Sequence, residues 1–301
     1  MEHKNAIVLA MFGTTVESAL KGLLNISGRM RARYPETPVR IAFTSNIIRK
    51  RWQKRAADPD YLAAHPELPE EVLRVRTVLA TIADLQDQGC DTIILQPTHV
   101  AMGEEYLDLG TFVDGLMLMG TVKKAKYKPF RKVVLGRPAL GTYGVAHPYH
   151  EDIMAAARAL AADAELARQE QAALVYMGHG NEHFPSSGSY LELAERMRGL
   201  HPDVLTLIGN VEGYPSLANV IGELRRFGAR KVLLKPCMVV AGDHAVNDMT
   251  GPDEDSWKNV LERHGFEVAA AATGLGEIDD FAEIFVRNAG QAAADAGIVL
   301  K

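Results

Sequence analysis

The amino-acid sequence predicts an α/β protein of two similar domains, each a four-stranded parallel sheet flanked by helices, with a cleft between them. Short apolar runs alternate along the chain with longer segments of helical periodicity, which is the order typical of parallel sheets. The chain has 301 residues, more than one typical domain needs. The strand ends of the second half also repeat those of the first half, which indicates a duplicated unit.

The first half contains four predicted strands, each a short apolar run of the kind found in buried parallel sheets. These strands lie at residues 6–12, 39–43, 92–95 and 132–136. Apolar residues at helical spacing predict helices at residues 16–34, 47–55 and 70–88, and a further helical stretch that ends near Met119. Residues 57–69 are polar and hold three prolines, so we expect a surface loop there.

The second half repeats this plan after residues 141–148, a stretch with Gly, Pro and His that we interpret as the crossover between domains. Its predicted strands lie at residues 174–177, 205–211, 231–234 and 266–272. Its predicted helices lie at residues 151–168, 190–200, 216–227 and 278–297. Both halves therefore consist of strands that alternate with helices, as two parallel sheets require.

The strand ends of the two halves match residue by residue. A shift of 167 residues places Phe12 on His179 and Ser45 on Glu212. A shift of 139 residues places Glu105 on His244. The simplest account is two domains of one ancestry that face each other across a cleft, of which the second alone kept a complete set of ligands.

Composition excludes several classes of protein. Apolar residues make up 47% and charged residues 24% of the chain, and the net charge is −5, so we expect neither nucleic acid nor a membrane as a partner. Cys90 and Cys237 form no CxxC pair, so we expect no disulfide framework. The apolar run at residues 6–12 is too short for a membrane span or signal peptide, and we expect a cytoplasmic protein. Motifs for nucleotide binding and for serine hydrolysis are absent from the sequence.

Three strands of the second half end at His179, Glu212 and His244. The spacings are 33 and 32 residues, and one βα unit returns to the same sheet edge after about 30 residues. Ligands bind outside the carboxyl ends of parallel strands, so the three side chains are expected along one rim. Two imidazoles and a carboxylate suit a divalent metal and leave room for a substrate. The alternatives are a histidine that satisfies a loop carbonyl and a glutamate beside a helix N-terminus.

The first half offers weaker candidates. His99 follows a strand, where contact with a substrate and a loop-capping role are equally compatible with the sequence. The basic run from Arg49 to Arg55 is typical of a solvated helix face, although a polyanionic substrate would give Arg49 or Lys50 a binding role. Asp243 and Asp248 are expected to hold the His244 loop in place.

Several stretches together resemble the CbiK type of anaerobic cobaltochelatase of cobalamin biosynthesis. In the second half these stretches are MGHG at 177–180, VEGYP at 211–215, AGDHAVNDM at 241–249 and DEDSW at 253–257. In the first half they are MFGTT at 11–15, AFTSNIIRK at 42–50 and QPTHVAMGEEY at 96–106. The resemblance covers nearly the whole chain, and the AGDHAVNDM and DSW pair is its most specific part. Residues 53–69 form a longer loop than is usual in the family.

The resemblance implies a class II chelatase that inserts Co(II), its substrate metal, into sirohydrochlorin or precorrin-2 without ATP. It implies that His179 and His244 are catalytic and bind the metal together with Glu212. We expect the substrate to contact a second group of side chains, namely His99, Phe12, Ser45 and Arg49. Haem is not expected, because GEEYLDLG at 103–110 lacks the histidine of haem-binding relatives.

The resemblance also implies that the closing helix returns to the first domain. The expected domains are therefore residues 1–140 plus 274–301 and residues 141–273. Two alternatives for the function stay open from sequence. The protein could be a sirohydrochlorin ferrochelatase, since the same ligands take iron, or a carrier of metal or tetrapyrrole that binds without turnover. A homo-oligomer is also left open.

Overall fold

The computed structural model describes residues 4–119 and 128–301. It contains two four-stranded parallel sheets with strand orders β2-β1-β3-β4 and β6-β5-β7-β8, which confirms the predicted fold class. The strands of the first sheet are β1 Lys4–Met11, β2 Val39–Phe43, β3 Cys90–Pro97 and β4 Lys132–Leu135. Those of the second sheet are β5 Ala173–Gly180, β6 Thr206–Glu212, β7 Lys231–Cys237 and β8 Glu267–Ala270. The identical strand order agrees with a duplicated unit.

Helices cover both faces of each sheet. In the first half they are α1 Leu20–Arg33, α2 Asn46–Ala56, α3 Pro59–Ala64, α4 Glu70–Leu73, α5 Val78–Asp87 and α6 Glu104–Leu118. In the second half they are α7 Tyr149–Ala159, α8 Ala161–Gln169, α9 Ser187–Leu200, α10 Leu217–Arg226 and α11 Trp257–Arg263, followed by the closing helix α12 Asp279–Asp295. None of the described helices is long and apolar enough to cross a membrane.

The central strand β1 is buried on both of its faces. Ile7, Leu9 and Met11 pack in a cluster that includes α1 and α12, whereas Val8 and Ala10 pack on the opposite side with α5. The first of these clusters continues without a break into β5, α7 and α9 of the second half. The two halves therefore share one apolar core on this side, which holds the two sheets together.

The closing helix α12 packs against α1, β3 and β4 of the first half and also against α7. Its Glu283 carboxylate lies 2.7 Å from the Arg29 guanidinium of α1. Beyond the helix, the carbonyl of Val299 accepts a hydrogen bond of 2.7 Å from the Asn5 amide. These contacts connect the end of the chain to the beginning of the first sheet.

The surface loop predicted at residues 57–69 is wrong in part, because α3 lies within it. Asp58 caps this helix by accepting hydrogen bonds from the backbone N–H groups of Asp60 and Tyr61, at 3.1 and 3.2 Å. The Tyr61 hydroxyl then donates to the Glu17 carboxylate. Burial, together with this bond, raises the pKa of Tyr61 to about 12. Pro59 therefore starts a short helix that packs onto the loop after β1.

The single helix predicted at residues 70–88 is also wrong, since the structure has α4 and α5 there. Between them, Val75 is buried and the Arg76 carbonyl accepts a hydrogen bond of 3.0 Å from Phe43 N–H. Thr77 then caps α5 by accepting from Ala80 N–H at 3.2 Å. Pairing with β2 has replaced the helical hydrogen bonds at this point. The predicted helix at residues 151–168 is divided in the same way, at Leu160, between α7 and α8.

Candidate active site

A cleft of about 420 Å³ lies between the two halves, at the carboxyl ends of the strands. Loops after β1 and β3 line it on one side, and loops after β5, β6 and β7 line it on the other. Of the described residues that line it, none is Lys or Arg. Its ionisable side chains include three histidines and four carboxylates, namely His99, His179 and His244 with Glu104, Glu105, Glu212 and Asp243. This composition favours a cation inside the cleft.

His179 and His244 contact each other in the cleft. Their ring centroids are 5.0 Å apart and the ring planes are at 86°, an edge-to-face arrangement. Parallel pairing of β5 with β7 places Gly178 beside Cys237, so both strands deliver their histidine to the same sheet edge. About half of each imidazole side chain is exposed, at 47% and 41%. Two histidines that are 65 residues apart in sequence are thus open to a ligand from the same side.

The two glycines that flank His179 allow β6 to approach closely. A Cβ atom on Gly178 would lie 2.4 Å from the Asn210 side-chain oxygen. Gly180 has a φ of +75°, and a Cβ there would lie 1.9 Å from the Glu212 carbonyl. Only glycine fits such contacts, and its left-handed backbone is open to few other residues. The MGHG sequence therefore brings His179 next to the strand that carries Glu212.

His244 begins a short π-helix, His244–Met249, which was not predicted from the sequence. Ala245 and Met249 are fully buried and anchor this segment. The Asp248 carboxylate is hydrogen-bonded to Nδ1 of His244. The other imidazole nitrogen, Nε2, is consequently the one left for a ligand, since a carboxylate partner fixes both the tautomer and the ring orientation.

Glu212 lies beside the histidine pair without completing a metal site. Its Oε2 is 3.8 Å from Nδ1 of His179, and that nitrogen also lies 3.1 Å from the Gly180 carbonyl. Across residues 4–119 and 128–301, no three His, Cys, Asp or Glu side chains are close enough together to hold a metal ion. The structure therefore brings the three predicted ligands to one rim but does not place them around a common point.

The predicted residues of the first half divide into two groups. Phe12 and His99 line the cleft, and Nε2 of His99 lies 2.7 Å from the Glu105 carboxylate. Ser45 and Arg49 do not line it. Ser45 caps α2 by accepting from the Ile48 backbone N–H at 3.4 Å, and Arg49 donates to the Asn46 side chain at 2.8 Å.

Several polar residues of the cleft were not predicted from the sequence. Thr15 donates its hydroxyl proton across the cleft to the Asp243 carboxylate, at 3.5 Å. Tyr106 and Tyr190 also line the cleft, and burial raises the pKa of both phenols. Thr15 belongs to the motif MFGTT, near Phe12, and Tyr106 belongs to GEEY, next to Glu105. This closeness in sequence was the signal that could have placed both residues in the cleft. Tyr190, on α9, carries no such signal.

Comparison with known proteins gives a consistent result. A sequence model of the family described as "Cobalt chelatase (CbiK)" matches residues 5–294. The sirohydrochlorin cobaltochelatase CbiKC of Nitratidesulfovibrio vulgaris is 31% identical over 94% of this chain and 88% of its own length. The sirohydrochlorin cobaltochelatase of Salmonella typhimurium is 30% identical over 96% of both chains.

Two solved structures share the fold of this chain. SirB from Bacillus subtilis with Fe3+ superposes with a TM-score of 0.61 at 13% identity, over 99% of this chain and all of that one. CbiX, the terminal enzyme of sirohaem biosynthesis in denitrifying bacteria, superposes with a TM-score of 0.51 at 15% identity, over 96% of this chain and 99% of that one. At these low sequence identities, the similarity shows only that the fold is shared.

Proposed function

Because this chain belongs to the CbiK cobalt chelatase family, we propose that it inserts Co(II) into sirohydrochlorin in the anaerobic cobalamin pathway, without ATP. The two relatives named above as sirohydrochlorin cobaltochelatases support this proposal, since each aligns with almost the whole chain. The exchange of a metal ion for two protons involves no phosphoryl transfer, and the sequence holds no GxxxxGK(S/T) motif for ATP.

The observation that carries the proposal is the pair of imidazoles at the carboxyl ends of β5 and β7. Neutral imidazole binds borderline divalent ions such as Co(II) and titrates near neutral pH. In this proposal His179 and His244 hold the arriving ion, and Glu212 supplies negative charge beside them. A site with few protein ligands and an open side suits a metal ion that must be transferred to the macrocycle, because a closed site with four ligands would retain the ion.

The same two imidazoles account for the fate of the protons. Insertion of Co(II) displaces two N–H protons from the pyrrole nitrogens of the macrocycle. As the ion moves from a histidine to those nitrogens, the freed imidazole lone pair can accept one of the displaced protons. Asp248, at Nδ1 of His244, stabilises the imidazolium that forms there. His179 has Glu212 close to its own Nδ1 in a similar role, at 3.8 Å.

The experiment is a multiple-turnover insertion assay with sirohydrochlorin in the absence of ATP, run separately with Co(II), Fe(II) and Ni(II). The proposal predicts many product molecules per protein chain and the highest rate with Co(II). A yield limited to one macrocycle per chain would indicate a carrier. A higher rate with Fe(II) would indicate a ferrochelatase.

A further inference from the structure

The charges of the cleft are well suited to a metal ion and poorly suited to the macrocycle. Four carboxylates line the cleft, and the described lining contains no Lys or Arg. The whole chain has a net charge of −5. The proposed substrate carries eight carboxylates around its ring, so both the cleft and the whole protein repel it. Rapid association therefore requires a local region of positive charge near the entrance.

Helix α2 lies at this entrance and is fixed to it. Ile48, in its first turn, lines the cleft. Trp52, one turn later, is fully buried, and its indole N–H donates to the Thr14 carbonyl at 2.8 Å. Arg55 donates to the Thr15 carbonyl at 2.7 Å. Because Thr14 and Thr15 both line the cleft, α2 keeps a constant position relative to the opening.

The outer surface of α2 is a cluster of cations that have no partner among residues 4–119 and 128–301. The helix contains five basic and no acidic residues. Lys50, Arg51 and Lys54 are exposed, and within the described part of the chain none of their side chains has a hydrogen bond or an ion pair. We call these three residues the α2 cation face. Like charges at i and i+4, such as Lys50 and Lys54, destabilise a helix, so this arrangement has a cost in folding.

We propose that the α2 cation face attracts the peripheral carboxylates of the tetrapyrrole and steers it to the cleft. This inference rests on the proposed function, because it takes a polycarboxylate macrocycle as substrate. Positive charges at the mouth of a cleft raise association rates by about 10- to 1000-fold, and salt screens them over roughly 8 Å at physiological ionic strength. Steering acts on the encounter and not on the chemical step. It therefore affects the association rate constant and kcat/KM, and leaves kcat unchanged.

The test variant is K50Q/R51Q/K54Q, in which glutamine removes the charges at a helix propensity close to that of Lys and Arg. A matched control is K4Q/K128Q/R230Q, which removes three exposed charges at or before the first residues of β1, β4 and β7, at the opposite edge of the sheets. Stopped-flow quenching of Trp52 and Trp257 fluorescence by sirohydrochlorin would report association with each protein.

We expect the α2 variant to associate about tenfold more slowly than the wild type at low salt, and at the same rate at high salt. The control should differ little from the wild type. Equal rates for the α2 variant and the wild type at low salt would overturn the inference, as would an equal loss in the control. A fall in kcat with unchanged association would also contradict it. Failure of the wild type to insert cobalt would refute the proposed function, while the association rates would still report on steering.

Discussion

His179 and His244 are the residues on which the proposed chemistry depends. Their ring centroids lie 5.0 Å apart, yet their nearest carboxylates differ, since Asp248 is hydrogen-bonded to His244 and Glu212 lies near His179. About half of each side chain is exposed, so neither contributes much to the apolar core. Loss of either imidazole should therefore affect the reaction more than the fold.

We predict that His179→Ala and His244→Ala each lower the rate of cobalt insertion by about 10²- to 10⁴-fold, the range usual for a group that transfers protons. Thermal unfolding should change little. The insertion assay with sirohydrochlorin provides the measurement, and His264→Ala, a change at the end of α11 away from the cleft, serves as the control. Turnover close to the wild-type rate in both variants would refute the site.

Cys237, which lines the base of the cleft, should make stability fall at alkaline pH. Burial raises the pKa of its thiol to about 12, against an ordinary value of 9.0. The folded state therefore keeps the proton that the unfolded chain releases. The stabilisation that this protonated thiol contributes is fully present below pH 9. It is lost as the pH rises toward 12, and the free energy of unfolding falls by up to about 1.4 kcal/mol per pH unit.

Urea unfolding between pH 8 and 11 would measure this effect. In Cys237→Ala the free energy of unfolding should be lower at pH 8 but should decline less steeply with pH. Tyr176 and Tyr190 retain their own raised pKa values in this variant, so part of the decline should remain. An identical slope in variant and wild type would show that the thiol does not contribute.

At the scale of elements, the loop that carries His244 is held by three glycines. Gly276 N–H donates to the Val239 carbonyl at 2.9 Å, which pairs this loop with the segment before α12. Gly22 of α1 lies against both the His244 loop and the segment before α12. A Cβ on Gly276 would be 2.8 Å from the Gly22 carbonyl. A Cβ on Gly274 would be 2.7 Å from the same Val239 carbonyl. No larger residue fits at this crossing of three backbone segments.

Gly276→Ala should therefore lower the free energy of unfolding by about 1–3 kcal/mol, as overpacking does, and should also reduce insertion by displacing the His244 loop. Gly28→Ala is the matched control. A Cβ on Gly28 would meet no atom within 4 Å, and alanine in the exposed face of α1 should stabilise by about 0.5–1 kcal/mol. Equal stability of the two variants, measured in urea, would show that the junction is not tight.

The central strands could be predicted from sequence because they are apolar runs buried on both faces, as Ile7 and Val8 show in β1. The breaks within helices could not be predicted. The helix before β3 is interrupted because Arg76 pairs with Phe43 of a distant strand, and no local pattern reveals that partner.

The candidate site could likewise be predicted only in part. Strand-end spacing brought His179 and His244 together, but the π-helix that positions Asp248 depends on buried anchors from the tertiary structure.

At the scale of the whole molecule, a buried polar network joins the two halves. Arg137, after β4, contacts Asp152 of α7 with a shortest distance of 2.9 Å. Arg287 of α12 contacts the same carboxylate at 2.6 Å, and burial lowers the pKa of this arginine. Arg137 also contacts Asn288 at 3.3 Å. We propose that this network joins a first domain of residues 1–140 plus 274–301 to a second of residues 141–273.

Removal of the shared carboxylate should weaken this joint. Asp152→Ala leaves the buried Arg137 without its carboxylate and also removes a contact of the partly exposed Arg287, so it should lower the free energy of unfolding by about 3–5 kcal/mol. Asp203→Ala removes an exposed partner of Arg168, where water screens the charges, and should lower the free energy of unfolding far less. Urea denaturation of both variants would test the difference. A small effect of Asp152→Ala would show that the shared apolar core alone joins the halves.

The central claim is that the second half holds the substrate metal at the rim of the cleft. Crystals soaked in Co(II), with anomalous scattering recorded at the cobalt edge, test it most directly. The account predicts one ion between His179, Glu212 and His244, at about 2.0–2.2 Å from their nitrogen and oxygen atoms. An ion bound instead by His99 and Glu105 would contradict it, because the first half would then hold the metal.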